Sequence, residues 1–204
     1  MTARVFLLLL LPLAGAETVE VRPGVIGKED LREYESLTGQ RKRIVDEALE
    51  LAGREAWIKY QFGSADPDSG GLDCSGSVYY ILQQVGIQPP RSSSAQFSWV
   101  KKSGALTEVP AGTTTLSSEV FAKLEPGDLL FWSGTYEPVD GREVPVSHVQ
   151  IFLGHEKATR RPVMAGASEG RTYRDTKRAG YGVFDFKLPR AESKGVFLGY
   201  GLPE

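Results

Sequence analysis

The chain has 204 residues, a quarter of them charged, a formal net charge of −2 and a single cysteine. That balance offers no basic footprint for nucleic acid and no positive patch for anionic lipid, and one cysteine cannot close an internal disulfide. The length fits one ordinary domain that buries its own core.

Residues 1–16 read as a signal peptide. Arg4 supplies a positive start, Val5 to Leu13 an apolar stretch broken by Pro12, and Ala14-Gly15-Ala16 a small-residue cleavage site. The apolar run is shorter than the roughly 20 residues a membrane span needs. No cysteine lies near the cleavage site, so no lipid anchor is expected. Export to the periplasm or the cell exterior is therefore expected, with the mature chain starting near Glu17. Residues 17–39 read as a polar leader with a short helix around Glu29–Leu37.

From Gln40, the apolar residues Ile44, Val45, Ala48, Leu49 and Ala52 recur at helical spacing, predicting a helix to about Arg54. A turn-rich loop from Ser64 to Gly71 follows. A second helix is predicted over Cys74–Val85, with Val78, Ile81, Leu82 and Val85 inward and Gly86 and Pro89-Pro90 as stops. Short helices are predicted at Ser94–Val100 and Ser117–Leu124, either side of a loop-like stretch from Lys101. Pro126-Gly127-Asp128 is a turn that feeds a buried strand at Leu129–Trp132. Asp140-Gly141 is a hairpin dipeptide. The clearest strand is Val146–Gly154, whose alternation puts Val149, Ile151 and Leu153 on one face and His148, Gln150 and Phe152 on the other. Further strands are predicted at Pro162–Ser168, Gly182–Phe186 and Val196–Tyr200. Helices first and consecutive strands after them indicate an α+β fold with a mainly antiparallel sheet and helices on one side.

Cys74 stands where the Gly-rich loop gives way to the second helix. The positive end of a helix dipole favours thiolate over thiol. A thiol nucleophile needs a base, and the chain offers His148 and His155. His148 sits within an apolar strand. His155 follows Gly154 and reads as an exposed turn residue. Two histidines and one cysteine are too few for a zinc site, so neither a metal nor an organic cofactor is expected. Asp73 is placed to cap the helix, and the Ser75 N–H lies near its start, where it could join an oxyanion site.

Leu72-Asp73-Cys74-Ser75-Gly76 before an apolar helix resembles the nucleophile motif of the NlpC family of cell-wall cysteine peptidases. Three further stretches are similar in the same order: Pro90-Arg91-Ser92 with Gln96, Leu124-Glu125-Pro126-Gly127-Asp128-Leu129, and Ser147-His148-Val149-Gln150-Ile151-Phe152-Leu153-Gly154. Tyr60-Gln61-Phe62-Gly63 resembles the family's aromatic-Gly segment. The resemblance covers the chain from about Gln40 and implies a papain-like catalytic domain over 40–204. It implies Cys74 as nucleophile, His148 as base, and Tyr60, Asp73 and Ser75 in substrate or oxyanion contacts, with Asp73 at the substrate's amine end. It departs from the family at the third position. Family members carry a His, Asn or Gln after the base, and here Gly166 aligns with it; Ser168 and Gln150 are the candidate substitutes.

The resemblance implies a monomeric, exported, wall-associated peptidase without a membrane anchor. Its partner would be peptidoglycan stem peptides, cut at the γ-D-glutamyl–diamino acid bond. The alternative is a wall-peptide-binding module impaired by Gly166. The loop 101–118 and the hairpin 136–144 are expected to rim the site.

Overall fold

The structure, a computed structural model, describes residues 22–139, 141–142 and 145–203. The expected signal segment, the first part of the leader and Asp140 of the hairpin dipeptide lie outside the described residues.

Helix α1 spans Gly39–Ala52 and buries Ile44, Val45, Ala48, Leu51 and Ala52. Helix α2 spans Cys74–Gln84 and helix α3 spans Ser93–Lys102. Each of the last two is capped by a side chain at its first orphan donors: Asp73 accepts from Gly76 N–H, and Ser92 Oγ accepts from Ala95 N–H. The helix expected at Ser117–Leu124 shrinks to one 3₁₀ turn, Glu119–Phe121. The one expected at Glu29–Leu37 becomes two such turns, Lys28–Asp30 and Tyr34–Ser36. Between them Leu31 makes a β-bridge to Glu156, and extended backbone there cannot continue a helix.

Strands β1 (Ala65–Asp66) and β2 (Gly71–Leu72) form a small hairpin before α2. The others, β3 (Thr107–Glu108), β4 (Leu129–Ser133), β5 (Val146–His155), β6 (Pro162–Tyr173), β7 (Thr176–Asp185) and β8 (Val196–Gly201), form one sheet. Among the described residues its order is β3-β8-β4-β5-β6-β7, every pair antiparallel. The strands expected at Pro162–Ser168 and Gly182–Phe186 are the outer parts of a longer hairpin, β6–β7. It turns at Arg174 and Asp175, both at positive φ (49° and 63°). Two successive positive-φ residues match the right-handed twist of a hairpin, and neither residue here is the Gly or Asn that usually announces it.

The helices cover one face of the sheet, where Val149, Ile151 and Leu153 join Val78, Ile81 and Leu82 in one core. The other face carries an aromatic cluster of Trp132, Phe152, Phe184, Phe186, Phe197 and Tyr200, covered by Phe121 and Val109. The alternation expected in the β5 sequence is therefore realised. The leader's described part packs on the same body. Ile26, Leu31 and Tyr34 are buried in the helix-side core, Gly24 bridges Val183, and Glu33 receives the His155 N–H at 2.8 Å. Among the described residues no helix is long and apolar enough to cross a membrane.

Candidate active site

Cys74 is the first residue of α2, 7% exposed. Its position is fixed by what surrounds the helix start. Ser77 Oγ donates to the Cys74 carbonyl at 2.8 Å and accepts the Ala167 N–H at 3.3 Å, tying α2 to β6. Gln96 Nε2 reaches from α3 to the Ser75 carbonyl at 3.0 Å. Gly76 lies against the preceding loop so closely that a Cβ there would stand 2.0 Å from the Ser64 carbonyl oxygen. Only glycine permits that approach.

Asp73 does more than cap. Its Oδ1 accepts from Gly76 N–H (2.6 Å), Ser75 Oγ (3.2 Å) and Arg91 Nη1 (3.1 Å). Its Oδ2 accepts from Gly63 N–H (2.8 Å) and Arg91 Nη2 (2.9 Å). A carboxylate offers about four lone-pair sites, so this one is saturated. The amine-binding role implied for Asp73 finds no acceptor capacity left, because Arg91 takes it. Arg91 stands in the Pro90-Arg91-Ser92 stretch but did not figure among the expected site residues. Its Nη1 also donates to Ser75 Oγ at 3.0 Å.

The backbone N–H groups of Val149 and Ser75 lie near enough to the thiol to favour its ionised form. Val149 follows His148 on β5. Burial and then the Asp73 charge push the thiol up from 9.0 to about 11, against the pull of the two N–H groups and Arg91. Burial likewise pushes the Tyr60 phenol up, with Cys74 and Asp73 adding to it.

His148 is 8% exposed. In the β4–β5 ladder Trp132 faces His148 and Ser133 faces Val146, so Ser147 is an extra residue. A bulge of this kind re-aims the neighbouring side chains. Ser147 Oγ accepts from Thr135 N–H at 3.0 Å, and both Ser147 and His148 line a cleft. Burial, and secondly Arg171, hold the imidazole well below its ordinary 6.5. Burial thus disfavours the charged form of both groups.

The third position is occupied by none of the expected residues. Gly166 pairs with Gly182 across β6–β7. A Cβ on Gly166 would stand 2.9 Å from Gln150 Cγ, so Gln150 fills the space above it. Yet the Gln150 amide is buried with neither its oxygen nor its nitrogen paired. Ser168 lines the His148 cleft without a hydrogen bond to the ring. The partner is Arg171, whose Nε donates to His148 Nε2 at 3.2 Å while its guanidinium carbon lies 4.4 Å from the centre of the Trp132 ring. Arg171 reaches that face because β6 carries one extra residue between Ser168 and Arg171, which reverses side-chain parity. Gly170, at φ +146°, sits within the bulge. A glycine inside a strand was the one sequence signal for it.

His155, expected as an exposed turn residue, is instead the last residue of β5. Its Nδ1 lies 2.8 Å from Glu33 Oε1, which makes it a tie to the leader.

Two clefts border these residues. One, of about 640 Å³, is lined by His148, Ser147, Ser168, Glu169, Arg171 and Lys177. The other, of about 240 Å³, is lined by Cys74, Ser75, Asp73, Arg91 and Arg142. Tyr60, Phe62 and Tyr136 belong to both. Phe62 and Tyr136 meet edge to face, centroids 6.1 Å apart, and Phe62 is 74% exposed. The rim expected from the 136–144 hairpin is thus partly met by Tyr136 and Arg142. Among the described residues no group of three or more His, Cys, Asp or Glu side chains is placed to hold a metal.

The model of the NlpC/P60 family matches residues 57–177, a span that holds Cys74, His148 and Arg171. Curated relatives include a "Gamma-DL-glutamyl hydrolase" of Bacillus subtilis, 31% identical over 112 residues, 54% of this chain and 21% of the relative. A "Bifunctional muramidase/DL-endopeptidase CwlT" of the same organism is 31% identical over 112 residues, 55% of this chain and 26% of the relative. A "Probable endopeptidase Rv2190c" of Mycobacterium tuberculosis is 37% identical over 111 residues, 53% of this chain and 27% of the relative. The chain thus matches only 21–27% of the length of these relatives. Among solved structures, an NLP/P60 family protein of Staphylococcus aureus aligns over 92% of this chain and 45% of its own, with TM-score 0.47 and 21% identity. The P60 domain of a Mycobacterium avium subspecies paratuberculosis antigen aligns over 81% of this chain and 99% of its own, with TM-score 0.44 and 20% identity. With its model covering residues 57–177 of the 204, more than half of the chain, this protein belongs to the NlpC/P60 family.

Proposed function

We propose that this protein is an exported cysteine peptidase that hydrolyses stem peptides of peptidoglycan at the γ-D-glutamyl–diamino acid bond. The observation that carries the reading is Cys74 at the capped start of α2, its thiol near the backbone N–H of Val149, the residue after His148 on β5, within a family-matched span. The substrate follows relatives named for γ-DL-glutamyl hydrolysis and DL-endopeptidase activity. Export rests on the three signal regions in residues 1–16. No metal or organic cofactor is required.

In this mechanism His148 takes the Cys74 proton and the thiolate attacks the peptide carbonyl. The carbonyl carbon becomes tetrahedral and its oxygen negative. The N–H groups near the sulfur, those of Ser75 and Val149, are the donors at hand for that charge. His148 then protonates the leaving amine, and the acyl-enzyme forms. Water, deprotonated by the same ring, releases the acyl group and restores the thiol. Tyr60, in the wall shared by both clefts, borders the path of a peptide running from one to the other.

Cys74→Ala should lower release of stem-peptide fragments, followed by mass spectrometry, by about 10³-fold or more. Equal silence of wild type and variant on fragments from several wall types would remove the hydrolase reading. One observation favours a second reading, a wall-peptide-binding module: Arg171 donates to His148 where a peptidase has an acceptor. Stem-peptide binding by both proteins without cleavage by either is the outcome that would select it.

A further inference from the structure

The contact between Arg171 and His148 has the wrong polarity for a resting catalytic pair. Arg carries donors and no acceptor, and a neutral imidazole carries one N–H and one lone pair. With Arg171 Nε–H pointing at His148 Nε2 at 3.2 Å, the lone pair is on Nε2 and the ring proton is on Nδ1. The imidazolium needs a proton on both nitrogens, and a protonated Nε2 would face another donor. So while Arg171 stays, the ring cannot accept the thiol proton, whichever nitrogen faces Cys74.

Arg171 is itself poorly provided for. Among the described residues it makes no ion pair, only the contact with His148 and the stack on Trp132. Burial pushes it down from 12.5 to about 10. It lines the larger cleft with Lys177, against one acidic residue, Glu169. A half-buried guanidinium without a carboxylate, facing open space beside a second cation, is suited to a planar anion held by two hydrogen bonds.

We infer that Arg171 is a carboxylate-reading latch on His148. A substrate carboxylate entering the larger cleft pairs with the guanidinium, draws it off Nε2, and leaves the ring free to take the Cys74 proton. Arg171 is thus a specificity-determining residue, and substrates with a carboxamide at that place are poor ones. The inference rests on the proposed pairing of Cys74 with His148. The charged and titratable groups about His148 are Arg171 and Glu169 from β6, Lys177 from β7, Cys74 from α2, and the phenols of Tyr60 and Tyr136 from the loops. From β4 comes the neutral Trp132.

Two readouts on the full-length folded protein test the latch, and neither requires peptide hydrolysis. Nitrogen NMR of labelled histidine, assigned by difference against His148→Gln, should find the wild-type ring proton on Nδ1; a proton on Nε2 overturns the latch without any variant at Arg171. Alkylation of Cys74, the only cysteine, by iodoacetamide at pH 7 should be about tenfold faster in Arg171→Leu or Arg171→Gln, the effect of one unit in thiol ionisation. Rates equal to or below wild type overturn it. Glutarate, but not its neutral analogue glutaramide, should speed alkylation of wild type and leave Arg171→Leu unchanged. If glutarate has no effect on wild type, carboxylate reading is overturned. Stem-peptide cleavage by Cys74 is measured separately, so either conclusion can fail while the other stands.

Discussion

Asp73 shows how one side chain couples folding to the site. It closes the N-terminus of α2, holds the Gly63 N–H of the aromatic loop and fixes Arg91 with two hydrogen bonds. Losing a cap costs about 1 kcal/mol, and stranding the partner of a partly buried ion pair costs more. Asp73→Ala should lower stability by about 2–4 kcal/mol in urea unfolding. Asp73→Asn, which still caps, should lose less. Equal losses in the two would show that the cap carries little. The cap was legible from sequence because it is a relation among four consecutive residues. The saturation by Arg91 was not, because eighteen residues separate the partners.

Among the elements, β5 and β6 carry the main departure from the family pattern. The resemblance places glycine at position 150 and an orienting side chain at 166, and here the two are exchanged. The space is shared, since Gln150 lies where a side chain on residue 166 would begin. Gly166→His should therefore be overpacked and destabilising by about 1–3 kcal/mol. Adding Gln150→Gly should recover most of that loss, as measured by thermal unfolding of the single and double variants. Additive losses would show that the two positions do not share the space. The bulges beside Ser147 and before Arg171 belong to the same scale. Each shifts one strand by a residue, and together they decide which side chains meet at His148.

Across the whole molecule, the leader, the sheet and the hairpin turns are tied at Glu156. Its backbone bridges Leu31. Its buried carboxylate accepts from Tyr173 Oη (2.8 Å), Arg174 Nε (3.0 Å) and Thr159 Oγ1. Burial pushes this carboxyl up, but the hydrogen bonds from Thr159, Tyr173 and Arg174 outweigh it and hold it below the ordinary 4.5. The folded state therefore binds its proton less readily than the unfolded state. Its contribution is complete above pH 4.5 and is lost as pH falls through the lower folded value. Thermal unfolding followed from pH 6 to pH 3 should fall less steeply in Glu156→Gln than in wild type. Parallel curves would place the acid sensitivity elsewhere.

Legible along the chain were the α+β class, most of the inward face of α1 (Leu51 takes the buried place expected of Leu49), the apolar faces of α2 and β5, the cap at Asp73, and Cys74 and His148 as the reactive candidates. These are periodicities and short spacings, in which each residue's role is set by near neighbours along the chain. Only the packing in three dimensions sets Arg171 at His148 and Arg91 on Asp73, and buries the described part of the leader in the core. The physical reason is parity and distance. One extra residue in β6 reverses which face every later side chain takes, and contacts between distant segments leave no local pattern to read.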